Sequence, residues 1–279
     1  MEKREYLIVA ADLDGTLLTD DKKLTNKNKE VIEKIIEKGG YFVPATGRAI
    51  AGIPEFLKEI KGIKYIILSN GAAVFNMQTE EIIYRNQFTP EQAKEMITIL
   101  RGFGTMFDFY ANGAGRIEAN FLENLQKYNI EPEIQKLVKK TRKPVDSLDA
   151  FLEKEQCHVE KFNMFFAEQE RREEVRAELK KNPNILVTSS LANNLEINVA
   201  TCNKGNALKA LANYLGIEIE KTMAFGDNSN DIAMIKEAGL GVAMVNGSDE
   251  AREVADYISE YSNNESGVGL AIEKWNTLL

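Results

Sequence analysis

The sequence predicts an α/β fold in which a parallel, doubly wound sheet is interrupted by a second, α+β domain. Three observations carry this reading. Short apolar runs end abruptly in polar residues, as in YLIVAADLDGT, YFVPATGR and KTMAFGD, the pattern of strands buried on both faces. Helical periodicity alternates strictly with these runs at both ends of the chain. Between about residues 86 and 198 the alternation gives way to hairpin signals.

Taken in order, Leu7 to Ala11 is too short for a helix and breaks at Asp12-Leu-Asp14-Gly15. Ligand sites of open α/β sheets lie beyond the carboxyl ends of the strands, so Asp12 and Asp14 would project into a site, with Gly15 allowing a sharp turn. An Asp-Gly pair is also an ordinary turn signal. Leu17 to Leu24 is polar and turn-rich. Thr25 precedes a helix with Val31, Ile32, Ile35 and Ile36 on one face, stopped by Gly39-Gly40. YFVPATGR reads as a second buried strand, GIPEFLKEIKGI as an amphipathic helix, and YIILSNGA as a third strand of the parallel sheet.

From about Ile82 the rhythm changes. VFNMQTEEIIYRNQF reads as a hairpin. Thr89 caps a helix with Pro90 at its first position, and Asn112-Gly113 joins two strands. HVEKFNMFFA, RREEVRAELKK, ILVTSS and LEINVA read as strand, helix, strand, strand. Residues 1–85 and 199–279 are therefore assigned to one domain and 86–198 to an insertion. The chain returns with a helix beginning at Asn203-Lys204, a strand ending in Gly226-Asp227, a helix in NSNDIAMIKEAG, the strand GVAMVNG, a helix after Ser248, and a last strand and helix.

Composition narrows the functional classes. Hydrophobic residues make up 44% and charged residues 28% of the 279 residues, which is ordinary for a globular protein. A net charge of −8 argues against a partner recognised through nucleic-acid phosphates. No apolar run approaches the roughly 20 residues needed to span a bilayer, so no membrane partner is expected. Cys157 and Cys202 lack metal-ligand spacing, and two cysteines in such a length point to a reducing, cytoplasmic setting. His158 is the only histidine and has no recognisable triad partners around it, which argues against a His-based triad. Oligomeric state is left open.

Four stretches stand in a fixed order: Asp12-Leu-Asp14-Gly-Thr, Ala-Thr46-Gly47-Arg48, Lys204-Gly-Asn-Ala-Leu, and Gly226-Asp227-Asn-Ser-Asn230-Asp231. Together they resemble the four motifs of the haloacid dehalogenase superfamily, within it the Cof-type, sugar-phosphatase-like branch. The resemblance runs from Tyr6 to Gly267-Val268. It implies a Rossmann-like core, and because only one helix-length separates Asp12 from Thr46, the inserted α+β segment corresponds to a C2-type cap.

The resemblance also implies a chemistry: Mg²⁺-dependent hydrolysis of phosphate monoesters of small phosphorylated metabolites, with sugar phosphates the expected class. Asp12 would be nucleophile and metal ligand, forming an aspartyl-phosphate. Asp14 would be general acid and then base, its main-chain carbonyl also ligating Mg²⁺. Asp227 would be the third ligand, and Asp231 would orient Lys204 or a metal-bound water. Thr46, Gly47, Lys204 and Asn230 would bind the phosphoryl group. Arg48 either reaches the substrate or pairs with a surface acid, and Asn70 either faces the site or makes a plain Asn-Gly turn. A phosphomutase of sugar phosphates would share the two aspartates, and a non-catalytic phospho-ligand-binding protein is the alternative from another class.

Overall fold

The computed structural model describes residues 2–189 and 191–279. Strand β1 (Ile8–Ala11) is buried throughout. A tight hairpin over 17–24 follows, and then the helix Asn26–Glu37, whose first turn is capped by the Thr25 hydroxyl accepting the Asn28 N–H. Strands β2 (Tyr41–Pro44), β3 (Tyr65–Leu68), β4 (Ala73–Asn76) and β5 (Glu81–Arg85) come next. β1 pairs with β2 in parallel, whereas β3, β4 and β5 form an antiparallel sheet of their own.

The expectation that YIILSNGA joins the parallel sheet therefore needs correction. Among the described residues the bridge between β3 and the chain leaving β2 is the single parallel pair Ala45 and Ile67, with the Thr46 N–H donating to the Ile67 carbonyl at 2.9 Å. Tyr41 and Ala45 donate toward β1, so strand alternation turns position 44 toward β3. Proline there has no N–H to give, and the ladder is interrupted. The predicted helix in GIPEFLKEIKGI is also reduced, to Glu55–Glu59. Pro54 holds Ile53 in extended backbone (φ −73°, ψ 130°) and so separates that helix from a 3₁₀ turn at Ile50–Gly52.

The next strands are β6 (Met106–Ala111), β7 (Ala114–Glu118), β8 (Arg142–Val145), β9 (Lys161–Phe165), β10 (Ile185–Thr188) and β11 (Asn194–Val199). Among the described residues they form a six-stranded sheet in the order β10-β11-β9-β6-β7-β8, antiparallel except between β7 and β8. Asn112 (φ 53°) and Gly113 (φ 71°) turn the β6–β7 hairpin. Ser190, part of the expected ILVTSS strand, lies outside the described residues. Phe107, Phe109, Phe162, Met164, Leu195 and Ile197 line one face of this sheet and pack with Met96, Ile97 and Leu100 of the helix Pro90–Arg101.

Strands β12 (Thr222–Gly226), β13 (Leu240–Ala243) and β14 (Tyr257–Ile258) complete the parallel sheet, whose order is β14-β13-β12-β1-β2. Ile8, Ala10, Val43 and Ala224 pack on one side against Ala207, Leu208 and Leu211 of the helix Lys204–Leu215. The helix expected over NSNDIAMIKEAG begins only at Ile232. The fold is thus α/β, a doubly wound parallel sheet with an additional, mainly antiparallel sheet. No helix among the described residues is long and apolar enough to cross a membrane.

Contacts divide the chain into two compact units, one of Met1–Gly47, Pro54–Arg85 and Asn203–Leu279, the other of Arg48–Ile53 and Asn86–Cys202. The far boundary lies at 202 rather than 198. β11 runs to Val199, and the Ala200 N–H still donates to Asn184 in the second unit. Residues 48–53 join that unit through the Ala51 N–H, which donates to the Gly113 carbonyl at 3.1 Å. Phe162 stacks edge-on with Phe88 and Phe109 at 5.4 and 5.7 Å in the core of the second unit. Phe162→Ala is expected to destabilise the protein by about 3–5 kcal/mol. An unchanged urea midpoint would contradict this packing.

Candidate active site

The strand order creates the site. The chain leaves β1 toward β2 on one side and later returns as β12 on the other, so the connections diverge at the carboxyl ends of β1 and β12, where ligands bind in such sheets. The Asp12 N–H donates to the Phe225 carbonyl at 3.0 Å, which sets Asp12 beside the end of β12, just before Asp227.

Lys204 opens its helix behind the N-cap Asn203. Its ammonium is fully buried and donates to Asp12 Oδ1 at 2.5 Å and Asp231 Oδ1 at 2.6 Å. Asp231 Oδ2 accepts the N–H groups of Asp227 and Asn228 at 3.0 and 3.1 Å. That carboxylate ties down the loop after β12, which is why the following helix starts late. The Thr16 hydroxyl donates to Asp227 Oδ1 at 2.6 Å.

Carboxylate oxygens of Asp12, Asp227 and Asp231 lie within 4.8 Å of one another. Burial pushes the Asp12 carboxyl well above the usual range; Lys204 opposes this, while Asp231 and Asp227 add to it. Burial and Asp231 likewise push Asp227 up to about 6, against the Thr16 hydrogen bond. Burial disfavours charge on Lys204, yet Asp12 and Asp231 together raise its pKa above the ordinary value. Three carboxylates sharing one ammonium leave an excess of negative charge in a space of low polarity, and a hard divalent cation relieves that excess. The donor set therefore fits such an ion. Gly15 keeps the space beside Asp227 open: its φ is +89°, and a Cβ there would stand 2.6 Å from Asp227 Oδ2.

Asp14, whose expected contribution to the metal was its main-chain carbonyl, has its carboxylate 2.9 Å from Lys22 Nζ rather than in the acidic cluster. Thr46 is buried at the end of β2, and its carbonyl accepts the Asn70 N–H at 3.0 Å. Gly47 follows it, half-buried. Asn230 Nδ2 donates to Asn70 Oδ1 at 3.2 Å, so Asn70 is joined to the loop after β12. Ser69, Asn70 and Gly71 all have positive φ, a strained turn of the kind that accumulates at functional sites. Gly71 is needed there because a Cβ would come within 2.2 Å of the Asn203 carbonyl. Arg48 falls in the second compact unit, where its Nη1 donates to the Gly52 carbonyl at 3.1 Å.

The family profile of haloacid dehalogenase-like hydrolases matches residues 9–272. The chain belongs to this family. It is similar to a 5-amino-6-(5-phospho-D-ribitylamino)uracil phosphatase of Bacillus subtilis, 32% identical over 98% of this chain and 97% of that protein. Solved structures of haloacid dehalogenase-like hydrolases from Bacteroides thetaiotaomicron and B. subtilis match with TM-scores of 0.79 and 0.83 at 27% and 24% identity. They cover 97% and 96% of this chain, and each is itself covered to 99%. The reading of the four stretches as those of a Cof-type phosphatase holds, and this hydrolase is an enzyme of the phosphatase class.

Sequence reasoning left three neighbours of the site without a role. Thr16 stands in the Asp-Gly-Thr motif itself, so its hydroxyl was the one detectable signal. Asn246, whose Nδ2 donates to the Gly15 carbonyl at 2.8 Å, and Lys22 sit in unremarkable polar stretches. Thr16→Val removes the donor that orients Asp227 while keeping the side-chain volume. It is expected to raise the divalent-cation concentration needed for half-maximal activity by about 10-fold or more, with Thr16→Ser close to wild type. An unchanged cation titration would remove Thr16 from that role.

Proposed function

We propose that this hydrolase is a Mg²⁺-dependent phosphatase of small phosphorylated metabolites, acting on sugar or polyol phosphate monoesters through an aspartyl-phosphate. The observation that carries the reading is the buried Lys204 ammonium held between Asp12 and Asp231, with Asp227 beside them at the ends of neighbouring parallel strands. The substrate class is supported by the B. subtilis relative, named for 5-amino-6-(5-phospho-D-ribitylamino)uracil, a compound whose phosphate sits on a ribityl chain.

In this reading an Asp12 carboxylate oxygen attacks phosphorus as the bond to the leaving oxygen breaks, and Asp14 gives its proton to that oxygen. Asp14 then takes a proton from the water that attacks the aspartyl-phosphate, which releases inorganic phosphate and restores both carboxyl groups. Lys204 offsets charge on the phosphoryl oxygens, and Thr46, the Gly47 N–H and Asn230 donate to them. Asp231 holds Lys204 in place and fixes the loop that carries Asp227. Asp12, Asp227 and the Asp14 carbonyl would hold Mg²⁺, which when bound neutralises the approach of one anion to another.

The second compact unit is assigned the part of a C2-type cap that selects the leaving group. Its support is the point of insertion, after the second motif and before the third. Arg48 and Asn70 are candidate substrate contacts, the alternatives being a surface ion pair for Arg48 and a plain turn for Asn70, and the cysteine usage points to a cytoplasmic location.

Asp12→Asn is expected to lower turnover of phosphate monoesters by at least about 10³-fold with an unchanged circular dichroism spectrum, because an amide does not attack phosphorus. Chelation of divalent cations should abolish activity, and added Mg²⁺ should restore it. Phosphate release by a folded Asp12→Asn protein at the wild-type rate would refute the mechanism. A screen of phosphorylated sugars and polyols, scored by released phosphate, tests the substrate class.

A further inference from the structure

The hairpin over 17–24 is built more firmly than an exposed turn requires. At its base Leu17 and Leu18 are fully buried, and their N–H groups donate to the carbonyls of Asp12 and Leu13 at 3.1 and 2.9 Å. Its tip is gripped from the far end of the chain. Asn264 Oδ1 accepts the Asp20 N–H at 3.0 Å, and Asn264 Nδ2 donates to Asp20 Oδ2 at 2.9 Å. Asn263 Nδ2 donates to the Leu18 carbonyl at 2.9 Å and to Asp20 Oδ1 at 3.1 Å.

Within this clamped turn the Lys22 N–H donates to the Thr19 carbonyl at 2.8 Å, and the Thr19 N–H to the Lys23 carbonyl at 2.9 Å. Lys22 takes the left-handed position (φ 60°) that hairpins of this kind usually give to glycine. A lysine there costs backbone strain, and its side chain reaches back to Asp14 Oδ1 at 2.9 Å. The two side chains are 56% and 36% exposed, and an ion pair so open to water contributes little to stability. What the turn does is place the Lys22 ammonium against one oxygen of that carboxylate.

We propose that Lys22 is a positioning residue. Held by the Asn263–Asn264 clamp, it sets the orientation of Asp14 toward the leaving-group oxygen. The proposal rests on the assignment of Asp14 as general acid and goes beyond it by naming what aims that acid. Lys22 itself exchanges no proton.

The test separates leaving groups that need a proton from those that do not. Ribitol 5-phosphate, a primary alkyl ester, needs its leaving oxygen protonated, whereas p-nitrophenyl phosphate releases a stable anion. Lys22→Met should lower kcat/KM for the alkyl ester on the order of tenfold, a part of the usual general-acid contribution, and change the aryl ester less than about twofold. Lys22→Arg should recover most of the loss. Asn264→Ala should show the same alkyl-selective loss, smaller in size. On an Asp14→Asn background Lys22→Met should have no further effect.

No loss on the alkyl ester, an equal loss on both esters, or a loss that persists without Asp14 would overturn the proposal. Asp14→Asn protein that cleaves the alkyl ester as wild type does would instead remove the general-acid assignment beneath it, so the two failures are distinct.

Discussion

The site of this hydrolase depends on one buried ammonium. Lys204 is fully enclosed and meets Asp12 and Asp231 at 2.5 and 2.6 Å. Breaking such a buried pair typically costs about 3–5 kcal/mol, because the remaining charge is stranded. Here it would strand two carboxylates beside a third. The ammonium lets Asp12, Asp227 and Asp231 share one small space, and their residual excess of negative charge shapes that space for a cation.

The surrounding chain is organised to keep that ammonium in place. Asn203 caps the helix that Lys204 begins, and Gly71 lets the Ser69–Gly71 turn lie against the Asn203 carbonyl, where a larger residue would clash. Asp231 contacts Lys204 with one carboxylate oxygen and the main chain after β12 with the other. The same side chain thus sets the charge balance and fixes the loop that presents Asp227. Thr16 then orients Asp227 from the β1 side, so the loops after two neighbouring strands are linked by side chains as well as by the sheet.

The first unit also contrasts buried with exposed electrostatics. The Lys204 network lies in a place of low polarity, where each contact is strong and unpaired charge is expensive. Lys22 and Asp14 meet where both side chains are partly exposed, so their attraction is weak, and the hairpin that carries Lys22 is itself held by hydrogen bonds. Asn263 and Asn264, more than two hundred residues away in sequence, supply more of these bonds.

What the sequence by itself determined is what local pattern and motif encode. Apolar runs ending in Asp12 and Gly226-Asp227 marked the parallel strands, Thr25 and Thr89 marked helix starts, and the four ordered motifs marked the family. These signals are legible because strand burial and helix capping act over a few residues. The tertiary structure decided the rest. Pro44 interrupts the ladder that would have taken β3 into the parallel sheet, and Pro54 cuts a periodic helix short. Arg48–Ile53 sides with the second unit through a contact to Gly113. Thr16, Asn246 and Lys22 gained partners far away or across a turn. Each of these depends on which backbone groups face each other after folding, and a linear pattern of residue types does not carry that pairing.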